Sequence, residues 1–157
     1  MRALRGFTLI EMMVALSILS VLAMLVVPVA EVSVQRGKEQ ELRSALREIR
    51  QAIDAFKLAS DEGRIPRDAT SSGYPPSLQA LVDGLEDKKH PKRQKLRFLR
   101  RLPRDPFFPD SRVDPAQTWG LRSYASEAGD PREGNDVYDI YSRSPQSGLN
   151  GVLYREW

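Results

Sequence analysis

Apolar residues fill the first part of the chain without a break, and a periodic pattern follows them. Residues 12–30 form a run of 19 residues without a charged side chain. An α-helix rises about 1.5 Å per residue, so a run of this length can cross a hydrocarbon core about 30 Å thick. The pattern therefore predicts a membrane-spanning helix over residues 7–30.

After Glu31 the apolar residues recur every three or four positions, which is typical of an amphipathic helix with one face against a core. The stripe consists of Leu42, Ala45, Leu46, Ile49, Ala52, Ile53 and Phe56. Glu39 and Arg43 have the spacing of a helical ion pair. Gly63 and Pro66 are stop signals, so one continuous helix is expected to end there.

The remaining residues predict a small mixed head. Residues 64–76 indicate a loop, and a short helix follows over residues 77–83, with Ser77 as its N-cap and Gly84 as its stop. Turn residues separate three segments rich in β-type side chains, which predict an antiparallel meander. These strands are expected at residues 121–126, 137–142 and 151–155.

The fold class expected is α+β. A long N-terminal α-helix, transmembrane in its first half and amphipathic in its second, would pack on a head with a short helix and a three-stranded antiparallel sheet. The head would span residues 31–157, including the amphipathic half of the helix.

Composition excludes most catalytic chemistry. The chain has no Cys and a single His, His90, which lies among Lys and Arg residues. Disulfide frameworks, thiol catalysis and His-rich or Cys-rich metal sites are therefore excluded. We expect no enzymatic activity.

Two residues near the start are unusual for a simple anchor. Glu11 places a carboxylate at the edge of the apolar run, where it would need to reach water or pair with an opposite charge. Gly6 joins the run to a basic hexapeptide, in which Arg2 and Arg5 predict a cytoplasmic N-terminus. A cleavable secretory signal fits less well, because the run exceeds the usual 7–15 residues and Pro28 lies near its end.

The segment Arg5-Gly6-Phe7-Thr8-Leu9-Ile10-Glu11, followed by an apolar helix, resembles the type IV prepilin N-terminus. The resemblance implies that a prepilin peptidase removes residues 1–6 as a basic leader by cutting after Gly6. It further implies that Phe7 becomes the N-methylated mature N-terminus. The apolar helix would then pack subunits into a filament.

The physical chemistry of a buried amine gives Glu11 a role in that filament. Its carboxylate can neutralise the new ammonium of Phe7, and pairing with a neighbouring subunit's ammonium would also set the axial register. Pro28 removes a backbone donor inside the stem and is expected to kink it. The resemblance implies that the stem loosens near this proline.

Three later motifs follow one another along the chain: Gly63-Arg64-Ile65-Pro66, Ser77-Leu78-Gln79-Ala80-Leu81 and Arg100-Arg101-Leu102-Pro103-Arg104-Asp105-Pro106-Phe107. Together they resemble the major pseudopilin family of type II secretion. Phe107 stands where the family has tryptophan. The family binds calcium in its last loop, but the matching residues 144–151 contain no carboxylate. Ca²⁺ favours anionic oxygens, so Ser147 and Asn150 would be weak ligands and no cofactor is expected.

Residues 88–104 hold nine Lys and Arg and no acidic residue. Nucleic acid would favour interleaved stacking aromatics, yet Phe98 is the one aromatic present. A basic face that meets acidic residues of a neighbouring subunit and a solvated face are the other interpretations. We favour the neighbouring subunit and expect no nucleic-acid partner.

The resemblance implies a subunit of a periplasmic pseudopilus that drives the export of folded proteins. Its partners would be identical subunits, the prepilin peptidase, minor pseudopilins, the inner-membrane platform, the secretion ATPase and the secretin. The chain would cross the inner membrane once, with its head in the periplasm. A type IV or competence pilus subunit is the alternative, which the absence of Cys disfavours. A membrane-anchored periplasmic binding module is the hypothesis from a different class.

Overall fold

The computed structural model describes residues 6–67 and 71–157, apart from the side chains of Leu25 and Val27. Arg2 and Arg5 of the expected leader lie outside the described residues. The chain divides into two compact units, Met1–Gly37 and Lys38–Trp157.

One helix, α1, spans Leu9–Asp61 and contains Pro28 in its interior. This confirms the prediction of a single long helix. At its end the N–H of Glu62 still donates to the Leu58 carbonyl, whereas Gly63 adopts a φ of +68°. A left-handed residue after the last turn is the ordinary way for a helix to end, and glycine adopts it without steric cost.

The predicted apolar stripe of α1 forms one side of the hydrophobic core of the head. All seven of its residues are buried, and Leu42 and Ile49 are fully so. The other buried apolar residues of this cluster are Ala59, Ile65, Leu78, Leu81, Leu99, Trp119, Val137, Ile140 and Tyr154. The amphipathic half of the helix therefore packs as its 3.6-residue period predicted.

The short helix α2 spans Leu78–Asp83. The Ser77 side chain accepts from the N–H of Ala80, and Gly84 closes the helix with a φ of +69°. A Cβ on Gly84 would lie 2.3 Å from the Leu96 carbonyl oxygen, so both the backbone conformation and the close approach require glycine here. Both cap predictions are confirmed.

The strands form two small antiparallel sheets. The first pairs β1, Leu85–Glu86, with β2, Lys95–Leu96. The second pairs β3, Trp119–Arg122, with β4, Asp139–Ser142, and places Trp119 opposite Ser142. The Trp119 ring is fully buried, and its Nε1–H donates to the Pro103 carbonyl at 2.9 Å.

The prediction of a three-stranded sheet is wrong in two places. The expected strand at 121–126 ends at Arg122 because the Asp136 carboxylate accepts the N–H of Tyr124 at 2.9 Å and turns the chain away. The expected strand at 151–155 contains a turn, with Gly151 at a φ of +79°, followed by a 3₁₀-helix over Tyr154–Glu156. One β-bridge, between Ser147 and Leu153, is its remaining strand-like pairing.

The buried stripe predicts a large stability difference between two positions of the same helix. Ile49→Ala should lower the free energy of unfolding by about 2–5 kcal/mol, because it opens a cavity in a fully buried site. Leu58→Ala is the matched control, since Leu58 is 60% exposed. Urea unfolding of both variants in detergent measures the difference, and equal losses would contradict this packing.

Asp136 is a half-buried carboxylate between β3 and β4. Its burial acts to raise its pKa. Hydrogen bonds from the Ser72 hydroxyl, the Tyr124 N–H and the Ser123 hydroxyl outweigh that effect and hold the pKa below its ordinary value. The Arg64 guanidinium, 2.6 Å from the carboxylate of Asp87, lowers the pKa of Asp87 in the same way.

These lowered pKa values predict that the head loses stability in acid. A carboxyl whose pKa is lower in the folded state stabilises the fold above its unfolded pKa of about 3.9, and this contribution disappears as the pH falls through the folded pKa. Asp136→Asn should therefore destabilise the head near neutral pH and make little difference near about pH 2. Urea midpoints at both pH values measure this. Asp130→Asn, at an exposed position, should show no such pH dependence.

Candidate assembly site at the start of the long helix

The first turn of α1 is closed by two reciprocal hydrogen bonds between Thr8 and Glu11. The Thr8 hydroxyl accepts from the N–H of Glu11 at 3.3 Å, and the Glu11 carboxylate accepts from the N–H of Thr8 at 3.4 Å. This is a capping box, in which each side chain satisfies a backbone donor that the helix leaves unpaired. Glu11 is thus held at the helix start within a single chain.

Sequence reasoning missed the role of Thr8. A Ser or Thr followed three residues later by Glu, before an apolar run, is the usual pattern of a capping box. The sequence predicts that Glu11 pairs with the Phe7 ammonium of its own chain or of a neighbour, whereas the structure places its carboxylate against the N–H of Thr8. Gly6 and Phe7 precede the box and are exposed, with Phe7 at 78%.

The side chains that follow form a continuous exposed apolar surface on the first unit. Of the described residues, α1 is long and apolar enough to span a membrane, and the apolar window that meets this criterion has none of its surface buried. The larger exposed side chains are Leu9, Ile10, Met12, Met13, Val14, Leu16, Ile18, Leu19, Val21, Leu22, Met24, Val26, Val29, Val32 and Val34. A soluble monomer rarely exposes an apolar patch of this extent.

The polar groups within this surface are satisfied inside the helix. The Ser17 hydroxyl donates to the Met13 carbonyl at 2.6 Å, and the Ser20 hydroxyl donates to the Leu16 carbonyl at 2.8 Å. Such bonds remove the cost of placing a hydroxyl in an apolar environment. Pro28 lies within the same helix, which continues on both sides of it.

The loop that matches the family's calcium position has few groups that suit a hard cation. The Asn150 Oδ1 already accepts the N–H of Val152 at 3.1 Å, and Ser147 pairs with Leu153 in a backbone β-bridge. The carboxylate that reaches this loop is that of Glu39, whose Oε1 accepts from the N–H of Leu149 at 2.7 Å and from the Tyr154 hydroxyl at 3.0 Å. Across the described residues, no group of three or more His, Asp or Glu is placed to hold a metal ion.

The basic segment 88–104 presents exposed charges. Within the part of the chain that the structure describes, none of its nine cations takes part in an ion pair, and eight of them are exposed. They are Lys88, Lys89, Lys92, Arg93, Lys95, Arg97, Arg100 and Arg101. Arg104 differs, because it donates to the backbone carbonyls of Val113 and Asp110. Phe98 packs against Phe56, with ring centroids 5.2 Å apart, instead of presenting an open face for stacking.

Residues 1–27 match the prokaryotic N-terminal methylation motif. The chain is also similar to curated relatives named type II secretion system core protein G. It is 39% identical to that of Klebsiella pneumoniae over 70% of this chain and 74% of the relative. It is 37% identical to that of Pectobacterium carotovorum over 68% and 64%, and 33% identical to that of Klebsiella michiganensis over 85% and 90%. No solved structure matches the chain.

The methylation motif covers the residues that form the capping box and the exposed apolar helix. The relatives extend the similarity through most of the head, in agreement with the resemblance seen in its loop motifs. The chain therefore belongs to the family of type II secretion system core protein G, the major pseudopilins.

Proposed function

We propose that the chain is a structural, non-catalytic subunit that polymerises into a periplasmic pseudopilus. In this proposal the prepilin peptidase cuts after Gly6, and Phe7 becomes the methylated N-terminus. The pseudopilus drives the export of folded proteins through the outer membrane. The observation that carries the proposal is the exposed apolar surface of α1, which begins at a capped helix end beside the processing site.

Such a helix needs an apolar environment both before and after the subunit joins the filament. As a free subunit it lies in the inner membrane, with the N-terminus in the cytoplasm and the head in the periplasm. In the filament the same surface packs against neighbouring stems. Burial of apolar surface stabilises both states by about 25 cal/mol per Å², so transfer between them requires little net free energy.

Glu11 gives the packed stems their register. After cleavage the Phe7 ammonium lies four residues before a carboxylate that stands at the exposed start of α1. Inside a bundle of stems an unpaired ammonium would be costly, and the Glu11 carboxylate of a neighbouring subunit supplies the opposite charge. The bond that the carboxylate accepts from the Thr8 N–H is long, at 3.4 Å, so the carboxylate can move to a stronger partner.

The exposed basic segment supports contacts between heads. Its cations take part in no ion pair within the described residues. Exposed Glu41, Glu48 and Asp54 on α1 also take part in no ion pair among those residues. We propose that the two sets meet between neighbouring subunits. The other partners are the minor pseudopilins, the inner-membrane platform, the secretion ATPase and the secretin.

Processing gives the first test of this function. Mass spectrometry of the protein extracted from membranes should show an N-terminus at Phe7 carrying one methyl group. An intact Met1 in cells that contain the peptidase would contradict the proposal.

Substitution of Gly6 tests the steric requirement of the cut. No atom lies within 4 Å of a Cβ built on Gly6, so the chain itself tolerates a side chain there and any effect arises in the peptidase. Gly6→Ala should be processed better than Gly6→Leu, because a membrane-embedded active site must approach this backbone closely. Equal processing of the two variants, measured by the shift in gel mobility, would count against cleavage at this bond.

Assembly is tested at Glu11. Glu11→Ala leaves each Phe7 ammonium buried without a partner, at a cost of about 3–5 kcal/mol, and should abolish polymerisation while processing continues. Glu11→Gln keeps an acceptor without its charge and should give an intermediate yield. The measurement is crosslinking and recovery of sheared filaments from cells that express the complete secretion machinery.

Thr8→Val is the matched control for the capping box. It removes the hydroxyl that accepts the Glu11 N–H and leaves the carboxylate in place. Loss of a cap costs about 1 kcal/mol, so filaments of Thr8→Val should form in reduced but substantial yield. Filament loss as complete as in Glu11→Ala would assign the effect to helix capping. Normal filaments of Glu11→Ala would refute the pairing between subunits.

A further inference from the structure

A side chain near the start of the second unit in sequence, Glu39, binds the last loop of the head, residues 144–151. Glu39 on α1 is 8% exposed, and its Oε1 accepts both the Leu149 N–H and the Tyr154 hydroxyl. Hydrogen bonds to an ionised acceptor are about twice as strong as those between neutral groups. One carboxylate therefore binds both Leu149 at the tip of the loop and Tyr154, which follows the loop.

Arg50, a second side chain of α1, binds the C-terminal end of the same segment. The Arg50 Nε–H donates to the Asp139 carboxylate at 2.8 Å, and the Arg50 guanidinium also donates to the Ile140 carbonyl at 3.2 Å and to the Trp157 backbone oxygen at 3.0 Å. The planar guanidinium presents several donors in a rigid arrangement. It joins β4 to Trp157 at the end of the segment.

Aromatic packing fills the space between these two polar contacts. The fully buried Tyr154 ring stacks on Phe107 at 4.0 Å between centroids and meets Trp157 edge-on at 5.0 Å. The Arg43 guanidinium lies 4.3 Å above the Trp157 ring. A Cβ on Gly148 would lie 2.4 Å from the Trp157 ring, so the loop closes directly onto this stack.

We infer that residues 144–157 fold without a divalent cation, because Glu39 and Arg50 of α1 perform the fastening that a bound ion would provide. We call these two side chains, with the groups they hold, the helix clasp. Residues 144–151, which form the loop, contain no carboxylate, and Glu156 lies beyond them in the 3₁₀-helix. The groups that converge on Glu39 include an N–H and a hydroxyl donor, which attract an anion and repel a cation.

The first experiment measures the response of the full chain in detergent to metal alone. The thermal unfolding midpoint, followed by tryptophan fluorescence, should agree within about 1 °C between CaCl₂ and EDTA, since a ligand that does not bind the native state does not shift its unfolding. A rise of about 4 °C or more in CaCl₂ would overturn the inference.

The second experiment opens the helix clasp. Glu39→Ala should lower the midpoint by about 5 °C, because the buried Tyr154 hydroxyl and the partly buried Leu149 N–H lose their acceptor. Chymotrypsin should cut after Tyr154 at least about tenfold faster, as the open form becomes more populated. Glu41→Ala, an exposed acid on the same helix, is the control and should match the unchanged chain.

Glu39→Gln keeps an acceptor and should give a smaller effect in the same direction. It replaces Glu39→Ala in both measurements if the alanine variant does not accumulate. Equal behaviour of the Glu39 and Glu41 variants would overturn the inference. Restoration of a Glu39 variant to normal protease resistance by CaCl₂ would also overturn it, since the loop would then have its own metal site.

Discussion

The apolar stripe of α1 between Leu42 and Phe56 is the surface on which the rest of the head depends. The two sheets have only two strands each, of two and four residues. A two-stranded sheet is marginally stable in water unless it packs against another element. Trp119 of β3 and Ile140 of β4 belong to the same buried cluster as the stripe, so hydrophobic burial on one helix face allows the strands to be short.

The first unit, unlike the head, needs an apolar environment outside its own chain. From Phe7 to Val34 the large apolar side chains described are exposed, and the helix supplies no partner for them. Its polar groups are satisfied internally, by the box between Thr8 and Glu11 and by the back-bonded hydroxyls of Ser17 and Ser20. A helix whose side-chain hydroxyls are bonded internally and whose exterior is apolar suits lipid or other apolar helices. This physical requirement connects the sequence to membrane anchoring and assembly.

Polar side chains of α1 supply hydrogen-bond partners for backbone groups that the small sheets leave unpaired. A head with little β-structure leaves many loop N–H and carbonyl groups that must find partners. Glu39 and Arg50 reach out from the helix to the backbone of the last loop and of β4, and Asp136 does the same for the turn after β3. The charged positions of α1 therefore serve the interior of the head as well as its solvated face.

Local patterns in the sequence determined α1, its buried stripe, the caps of α2 and the family, because each depends on residues a few positions apart. The capping box was equally readable from Thr8 and Glu11, and its pattern was overlooked. The 3₁₀-helix at Tyr154 and the burial of Glu39 were decided in the tertiary structure. The bonds that Glu39 makes to Leu149 and Tyr154 join positions 110 and 115 residues apart. The strand-like pattern at residues 151–155 could not reveal these bonds, because Glu39 lies on α1, far from this segment in sequence.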